Sequence, residues 1–297
     1  MKRTVGEKIF DHLNTVCMIL FGIVTIYPFI YILAISLNDG GDAMRGGIYF
    51  YPRVFSLDSY KLIFSDPELY SAATVSILRT IIGTVSALVC TTMVSYAFTK
   101  KDQIPGGKLM YLIFIITMFI NGGLIPTYML YRWIGIFDTF AVYVLPGLVG
   151  AFYMVIMRTF FMQIPKEMQE SAVIDGANDF QIYLRIIIPL SAPILATIGL
   201  FVAVKHWNSW YDTLFFTSGR KGLITLQYKL MEIINRAEAS QLMSDMEKKL
   251  RRYAGNTVTT ESVKMAITIV STVPILCVYP FLQKYFVKGV MIGALKG

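Results

Sequence analysis

The sequence predicts an all-α polytopic membrane protein that crosses the bilayer six times. Of its 297 residues, 55% are hydrophobic and only 15% are charged, where an ordinary soluble domain carries about 25% charged residues. Several apolar runs exceed the ~20 residues needed to cross a bilayer core. The net charge of +8 is dispersed between those runs. It forms no single basic patch, so the composition argues against nucleic-acid binding and leaves membrane lipids with anionic headgroups as a sufficient partner.

Residues 1–12 are polar, with Lys2, Arg3 and Lys8 and with Val5, Ile9 and Phe10 interspersed, and predict a short helix lying on the membrane face within a cytoplasmic N-terminal segment, 1–13. The first span, about 14–37, is too long for the apolar core of a signal peptide and is read as uncleaved. Its Pro28 is tolerable where neighbours satisfy the freed carbonyl. In the loop 38–69, Tyr49, Phe50, Tyr51, Phe55 and Tyr60 suit the headgroup level. Span 2, about 71–98, is rich in Ser, Thr and Ala, which favours close packing at the centre of a bundle. Span 3, about 109–131, breaks at Asn121-Gly122-Gly123 and then meets Pro126. Loose backbone at depth faces protein or a water-filled cavity, so Asn121 is a candidate lining residue of a substrate path. Span 4 covers about 139–161, span 5 about 190–216 and span 6 about 263–286. Between spans 4 and 5 lies a polar island, 162–189. Between spans 5 and 6 lies a long polar segment, 217–261, whose stretch 232–253 predicts a surface helix of mixed charge. A tail, 287–297, follows. The chain has no convincing internal repeat, which argues against an inverted-repeat transporter.

Six spans put both termini on one side. That side carries twelve Lys and Arg; the other carries twelve as well, eight of them within 217–261. The positive-inside bias is read over short loops and span flanks, so setting aside the long segment favours cytoplasmic termini. The island then faces the cytoplasm and 217–261 the exterior.

Motifs for chemistry are absent. Cys17, Cys90 and Cys277 lie inside apolar runs without CxxC or Cys/His spacing, so neither metal nor disulfide is expected. The histidines are His12 and His206, and no nucleophilic or metal-ligating set is visible. Gly106-Gly107-Lys108-Leu109 lacks the spacing and the hydroxyl of a phosphate-binding GxxxxGK[ST] loop. The chain is therefore expected to be no enzyme, to need no cofactor and not to bind ATP itself.

The island has its own local logic. Pro165 can open a helix, because its missing N–H is not needed in a first turn. A helix from about Lys166 to Ile174 puts Glu167, Glu170 and Ile174 near one face. Gly176 allows a sharp turn, and Asn178 or Asp179 can cap a second short helix to about Ile187. Glu170-Ser171-Ala172, Gly176, Ile186 and Pro189 resemble the EAA---G---------I-LP signature of ABC importer permeases, with Ser171 in place of Ala and Ile188 in place of Leu. Asp175-Gly176-Ala177 resembles the DGA core of the sugar branch. MFINGGLIPTYML (118–130), MRTFFMQIPKEMQESAVIDGA (157–177), KHWNSWYDTLFF (205–216) and FVKGVMIGALKG (286–297) extend the likeness over nearly the whole chain. It is similar to the MalG-like permeases of carbohydrate uptake, in their LplC/YtcP-like oligosaccharide branch.

The resemblance implies a MetI/MalG-like type I ABC importer fold in a bacterial cell membrane. It implies that Glu167, Glu170, Ser171, Ala172, Asp175, Gly176 and Ala177 couple the chain to a separate ABC ATPase dimer, with Glu170 meeting a basic residue and the two alanines keeping the contact close. It also implies a second permease subunit as heterodimer partner, and an extracellular solute-binding lipoprotein that delivers an oligosaccharide and is contacted by 217–261. The tail would reach the ATPase interface. In span 5, Lys205, His206, Trp207, Asn208, Trp210 and Asp212 are candidates for the substrate path, since ionisable groups at depth are costly. Lys205, Asn208 and Asp212, three and four residues apart, would share one helix face; aromatic rings stack on sugars, and Lys, His and Asn can bond hydroxyls or pair with a uronate. The alternatives are an interfacial aromatic belt with a snorkelling Lys205 and, for the whole chain, a stand-alone secondary transporter or channel for a polar solute.

Overall fold

The computed structural model describes residues 4–241 and 258–294. Among them all regular structure is helical, apart from one isolated bridge between Asn38 and Phe55. The first helix, α1 (Val5–Ser36), is capped by Thr4: its hydroxyl accepts the Glu7 N–H, and the Glu7 carboxylate accepts the Thr4 N–H at 2.8 Å. This reciprocal cap starts the helix early. Within the surface helix expected over 1–12, residues 5–12 are continuous with the first span, and Pro28 lies inside the helix without ending it.

Helices α2 (Asp58–Phe64) and α3 (Pro67–Thr99) follow, the latter starting on a proline as first turns allow. The region expected as span 3 consists of two ten-residue helices, α4 (Gly107–Ile116) and α5 (Leu124–Trp133). Each rises only ~15 Å. The chain leaves helix at Thr117, earlier than the Asn-Gly-Gly signal, and re-enters it after Gly123, whose φ of +79° favours glycine. Next come α6 (Ala141–Val144), which runs into a 3₁₀ turn, α7 (Ala151–Phe161), α8 (Lys166–Ile174) and α9 (Asp179–Leu190), which contains a π turn at Tyr183–Ile187. Then come α10 (Ala192–Asn208), α11 (Tyr211–Phe216), α12 (Leu226–Gln241) and α13 (Thr260–Ala294).

Three stretches, Gly6–Ser36, Pro67–Thr99 and Thr260–Val278, are each long and apolar enough to cross a membrane. Two bent pairs reach that length when each is taken as one span: α6 with α7, bent by 46°, and α9 with α10, bent by 81°. Of the surface helix expected over 232–253, residues 242–253 lie outside the described residues. The tail is helical to Ala294, and 295–297 lie outside them.

The chain forms two compact units. One comprises residues 1–67 and 230–274. Ala34, Ile35 and Ile48 form its small core, packed by Tyr31, Ala43 and Met265. Its loop is tied at both ends: Asp39 N–H donates to Val54 O (2.8 Å) and Ser56 N–H to Leu37 O (2.9 Å). The Asn38 side chain bridges Asp42 and the Val54 N–H.

The other unit comprises 68–229 and 275–297. Its larger core joins Ala87 and Tyr96 of α3, Met157 and Phe161 of α7, Ile182 and Ile187 of α9, and Ile198 and Val202 of α10. The small polar residues of α3 are used here: Ser95 donates to Met154 O, Thr91 to Leu148 O, and Thr92 bonds the Tyr183 hydroxyl at 2.7 Å. The segment after α11 is not simply a solvated loop. Leu226 N–H donates to Ser76, and Lys229, only 1% exposed, pairs with Glu68 at 2.6 Å. Tyr143 is hydrogen-bonded with Thr213 and Thr217 and donates to Leu223 O, so a buried polar cluster holds this segment.

Candidate functional site

Two sites lie in the larger unit. The first is the polar island. Pro165 caps α8, which spans Lys166–Ile174, and Gly176 turns the chain with φ +82°. Asn178 then caps α9 reciprocally with Gln181: the Asn178 side chain accepts the Gln181 N–H at 2.9 Å and Gln181 accepts the Asn178 N–H at 3.0 Å. Glu167, Glu170, Ser171, Asp175 and Gly176 are exposed, and so is Ile174, at 86%. Ala172 and Ala177 are half-buried against the unit's own core, joined by the bond from Ala177 N–H to Ala172 O. Their methyls are small enough to seat the loop against the bundle.

Glu170 makes no ion pair among the described residues. It lines a cleft of about 700 Å³ together with Lys100, Arg158 and Ile174. Beside the cleft, Lys100 pairs with Asp179 at the start of α9 and lies over the Tyr96 ring. Burial alone would lower the Lys100 ammonium, but the Asp179 carboxylate and Tyr96 together hold it above the usual lysine value.

The second site is a cavity of about 210 Å³ between α3, α6, α7 and the end of α10. The helix α10 stops at Asn208, and Ser209 is extended (ψ 119°), so Asp212 lies in the first turn of a new helix, α11. The expectation of one continuous face through Lys205, Asn208 and Asp212 is thus corrected. The reason is Arg79 of α3, whose side chain is only 3% exposed. Its guanidinium donates to Ser209 O at 3.1 Å and pairs with the Asp212 carboxylate, which Ser209 also bonds at 2.9 Å. The Ser209 carbonyl at the break thereby finds its partner inside the protein. The same guanidinium stacks over Tyr143 at 4.5 Å.

Of the predicted path residues, Lys205, His206 and Asp212 line this cavity; Trp207, Asn208, Trp210 and Asn121 do not. Trp210 stacks edge-on with Tyr211, and Asn121 accepts the Gly123 N–H in its own turn. His206 is buried, with its ring against Gly83, while Lys205 is exposed. Arg79 is the residue the sequence reading passed over, although a charge amid the apolar run of span 2 was itself the signal. Arg79 is buried and Asp212 is half-buried, so loss of the carboxylate would leave a buried guanidinium short of a partner; the pair holds the break of span 5 in place.

The larger unit thus carries an exposed helix–turn–helix loop and a cavity lined by Arg79, Lys205, His206 and Asp212. The family described as the inner membrane component of binding-protein-dependent transport systems matches residues 2–292, and the chain belongs to it. It is a permease subunit of an ATP-binding-cassette importer, and ATP hydrolysis resides on separate subunits. The polygalacturonan/rhamnogalacturonan transport system permease protein YtcP of Bacillus subtilis (strain 168) is 34% identical, over 98% of this chain and 99% of its own. Protein LplC of the same organism is 35% identical, over 100% of this chain and 98% of its own. A solved bacterial ABC transporter involved in the import of the acidic polysaccharide alginate contains a chain that matches with a TM-score of 0.81 at 28% identity, over 96% of this chain and 99% of that one.

Proposed function

We propose that the chain pairs with a second permease to form the path for an oligosaccharide, handed over by an extracellular binding protein and driven by an ABC ATPase dimer. The observation that carries this reading is the continuity of the island with the basic cavity. The chain passes from α8 through Gly176 into α9, and α9 meets α10, the bearer of Lys205 and His206, at 81°. A rigid displacement of α8 is thereby carried into α10, as in lever-type switching. Glu167, Glu170, Ser171, Asp175 and Gly176 form the exposed contact with the ATPase, with Ile174 beside them, and Ala172 and Ala177 fasten the lever to the bundle. Both termini and the loop 162–189 are cytoplasmic, and 217–261 faces the binding protein outside.

Reversing one charge tests the lever. In the co-expressed importer, Glu170→Lys is expected to lower recovery of the ATPase with the permease about tenfold, since a charge-assisted contact becomes a repulsive one. Membrane insertion of the permease is expected to be unchanged. Transport-coupled ATP hydrolysis at the wild-type rate in this variant would reject Glu170 as a coupling residue.

A further inference from the structure

We propose that the seam between α3 and α9, closed by the Lys100–Asp179 ion pair, carries the motion of the island into span 2, with Lys100 and Asp179 as its positioning residues. This rests on the coupling reading above and gives the lever a second route beside the passage from α9 into α10. Thr92 and Tyr96 of α3 and Lys100 just past its end are spaced by four, which sets them along one side of the helix. Asp179 and Tyr183 have the same spacing on α9. The two sides meet at three levels. The Thr92 and Tyr183 hydroxyls are hydrogen-bonded at 2.7 Å. The Tyr96 and Tyr183 rings lie 5.5 Å apart, tilted by 34°. Lys100 pairs with Asp179, and its ammonium lies 5.4 Å from the centre of the Tyr96 ring.

The inner two levels are buried, whereas the Lys100 and Asp179 side chains are 26% and 66% exposed. A pair so exposed adds little to stability. Its effect is on position. Aromatic rings pack in several geometries of similar energy, and an ammonium shared by a carboxylate and a ring face selects one of them. Asp179 is also the first residue of α9, beside the Asn178 cap that follows the Gly176 turn. A displacement of α8 therefore arrives at Asp179 before it reaches the rest of α9, and Lys100 passes it to α3. That helix bears Arg79, so the seam joins the island to the residue that holds the break of span 5.

Cys90 lies on α3 between the seam and Arg79 and is half-buried, which makes it a reporter of that helix. With Cys17 and Cys277 replaced by serine, the importer is assembled with its ATPase dimer and binding protein. The rate at which N-ethylmaleimide labels Cys90 is measured before and after trapping with ATP and vanadate. Trapping is expected to change the rate when the seam is intact. Lys100→Glu and Asp179→Lys are each expected to shrink that change about fivefold, the upper range for an exposed pair. The two reversals combined restore a pair and are expected to restore the change. Asp179→Asn keeps a residue suited to a helix start and covers the case in which a reversal does not assemble; it is expected to shrink the change about twofold. Recovery of the ATPase with the permease is expected to stay at the wild-type level in these variants, which separates the seam from the ATPase contact. The seam is overturned by an unaltered change in Asp179→Asn or in the reversals, by a combined variant that stays as low as either reversal, by lost ATPase recovery, or by no effect of trapping on Cys90 at all. Failure of the island as the ATPase contact shows elsewhere: Glu170→Lys would then keep both wild-type ATPase recovery and the wild-type change at Cys90.

Discussion

A methyl group added at Gly83 would lie 2.6 Å from the Nε2 of His206, closer than any real contact of that kind. Gly83 sits mid-helix in α3, where glycine is otherwise unfavourable by roughly 0.5–1 kcal/mol against alanine. Its presence is explained by the ring that it admits. Gly83→Ala is therefore expected to destabilise the larger unit, since overpacking costs about 1–3 kcal/mol and outweighs the gain in helix propensity. Thermal denaturation of the purified protein should show a lower midpoint; a raised midpoint would mean that the ring moves aside freely. At the same scale Arg79 decides the path of span 5 although it lies 130 residues from Ser209. Charge at depth was readable in the sequence. Its partner was not, because residue spacing along α10 carries no information about a cation on another helix.

The elements divide by whether their causes are local. The island's two helices were legible because Pro165, Gly176 and Asn178 act within a few residues of themselves: a first-turn proline, a positive φ and a reciprocal cap. The break after α10 was not legible, because Ser209 is neither glycine nor proline and its extended backbone is held by α3. The helix α1 starts at the Thr4 cap and runs unbroken from Val5 to Ser36. The loop after α1 also carries a local device. The Asn38 side-chain hydrogen bond, with help from Arg53 and Arg45, holds the Asp42 carboxyl below the usual carboxylate range. A depressed folded value means that the contribution of Asp42 is present above the unfolded value, ~4, and lost as pH falls through the lower folded one. Amide exchange of Asp39 and Ser56, corrected for intrinsic rates, is expected to accelerate in that acid window. In Asp42→Asn the acceleration should be absent; if it persists, another group closes the loop.

For the whole molecule, composition and apolar runs made the fold class legible, since a bilayer allows few alternatives to helices. Sidedness rests on the short loops, because the basic residues divide twelve and twelve until 217–261 is set aside. The structure offers two positions that separate the choices. Ile174 is 86% exposed on the island, and the Lys221 side chain is 87% exposed in the segment after α11. With Cys17, Cys90 and Cys277 replaced by serine, Ile174→Cys is expected to react with a membrane-impermeant maleimide only in inverted vesicles. Lys221→Cys is expected to react only in right-side-out vesicles. Adding the ATPase subunits should then protect Ile174→Cys and leave Lys221→Cys open, because the lever contact covers one and not the other. The reverse labelling would place the island outside the cell, where no ATP-driven subunit could reach it. Labelling as expected but without protection would keep the orientation and remove Ile174 from the contact.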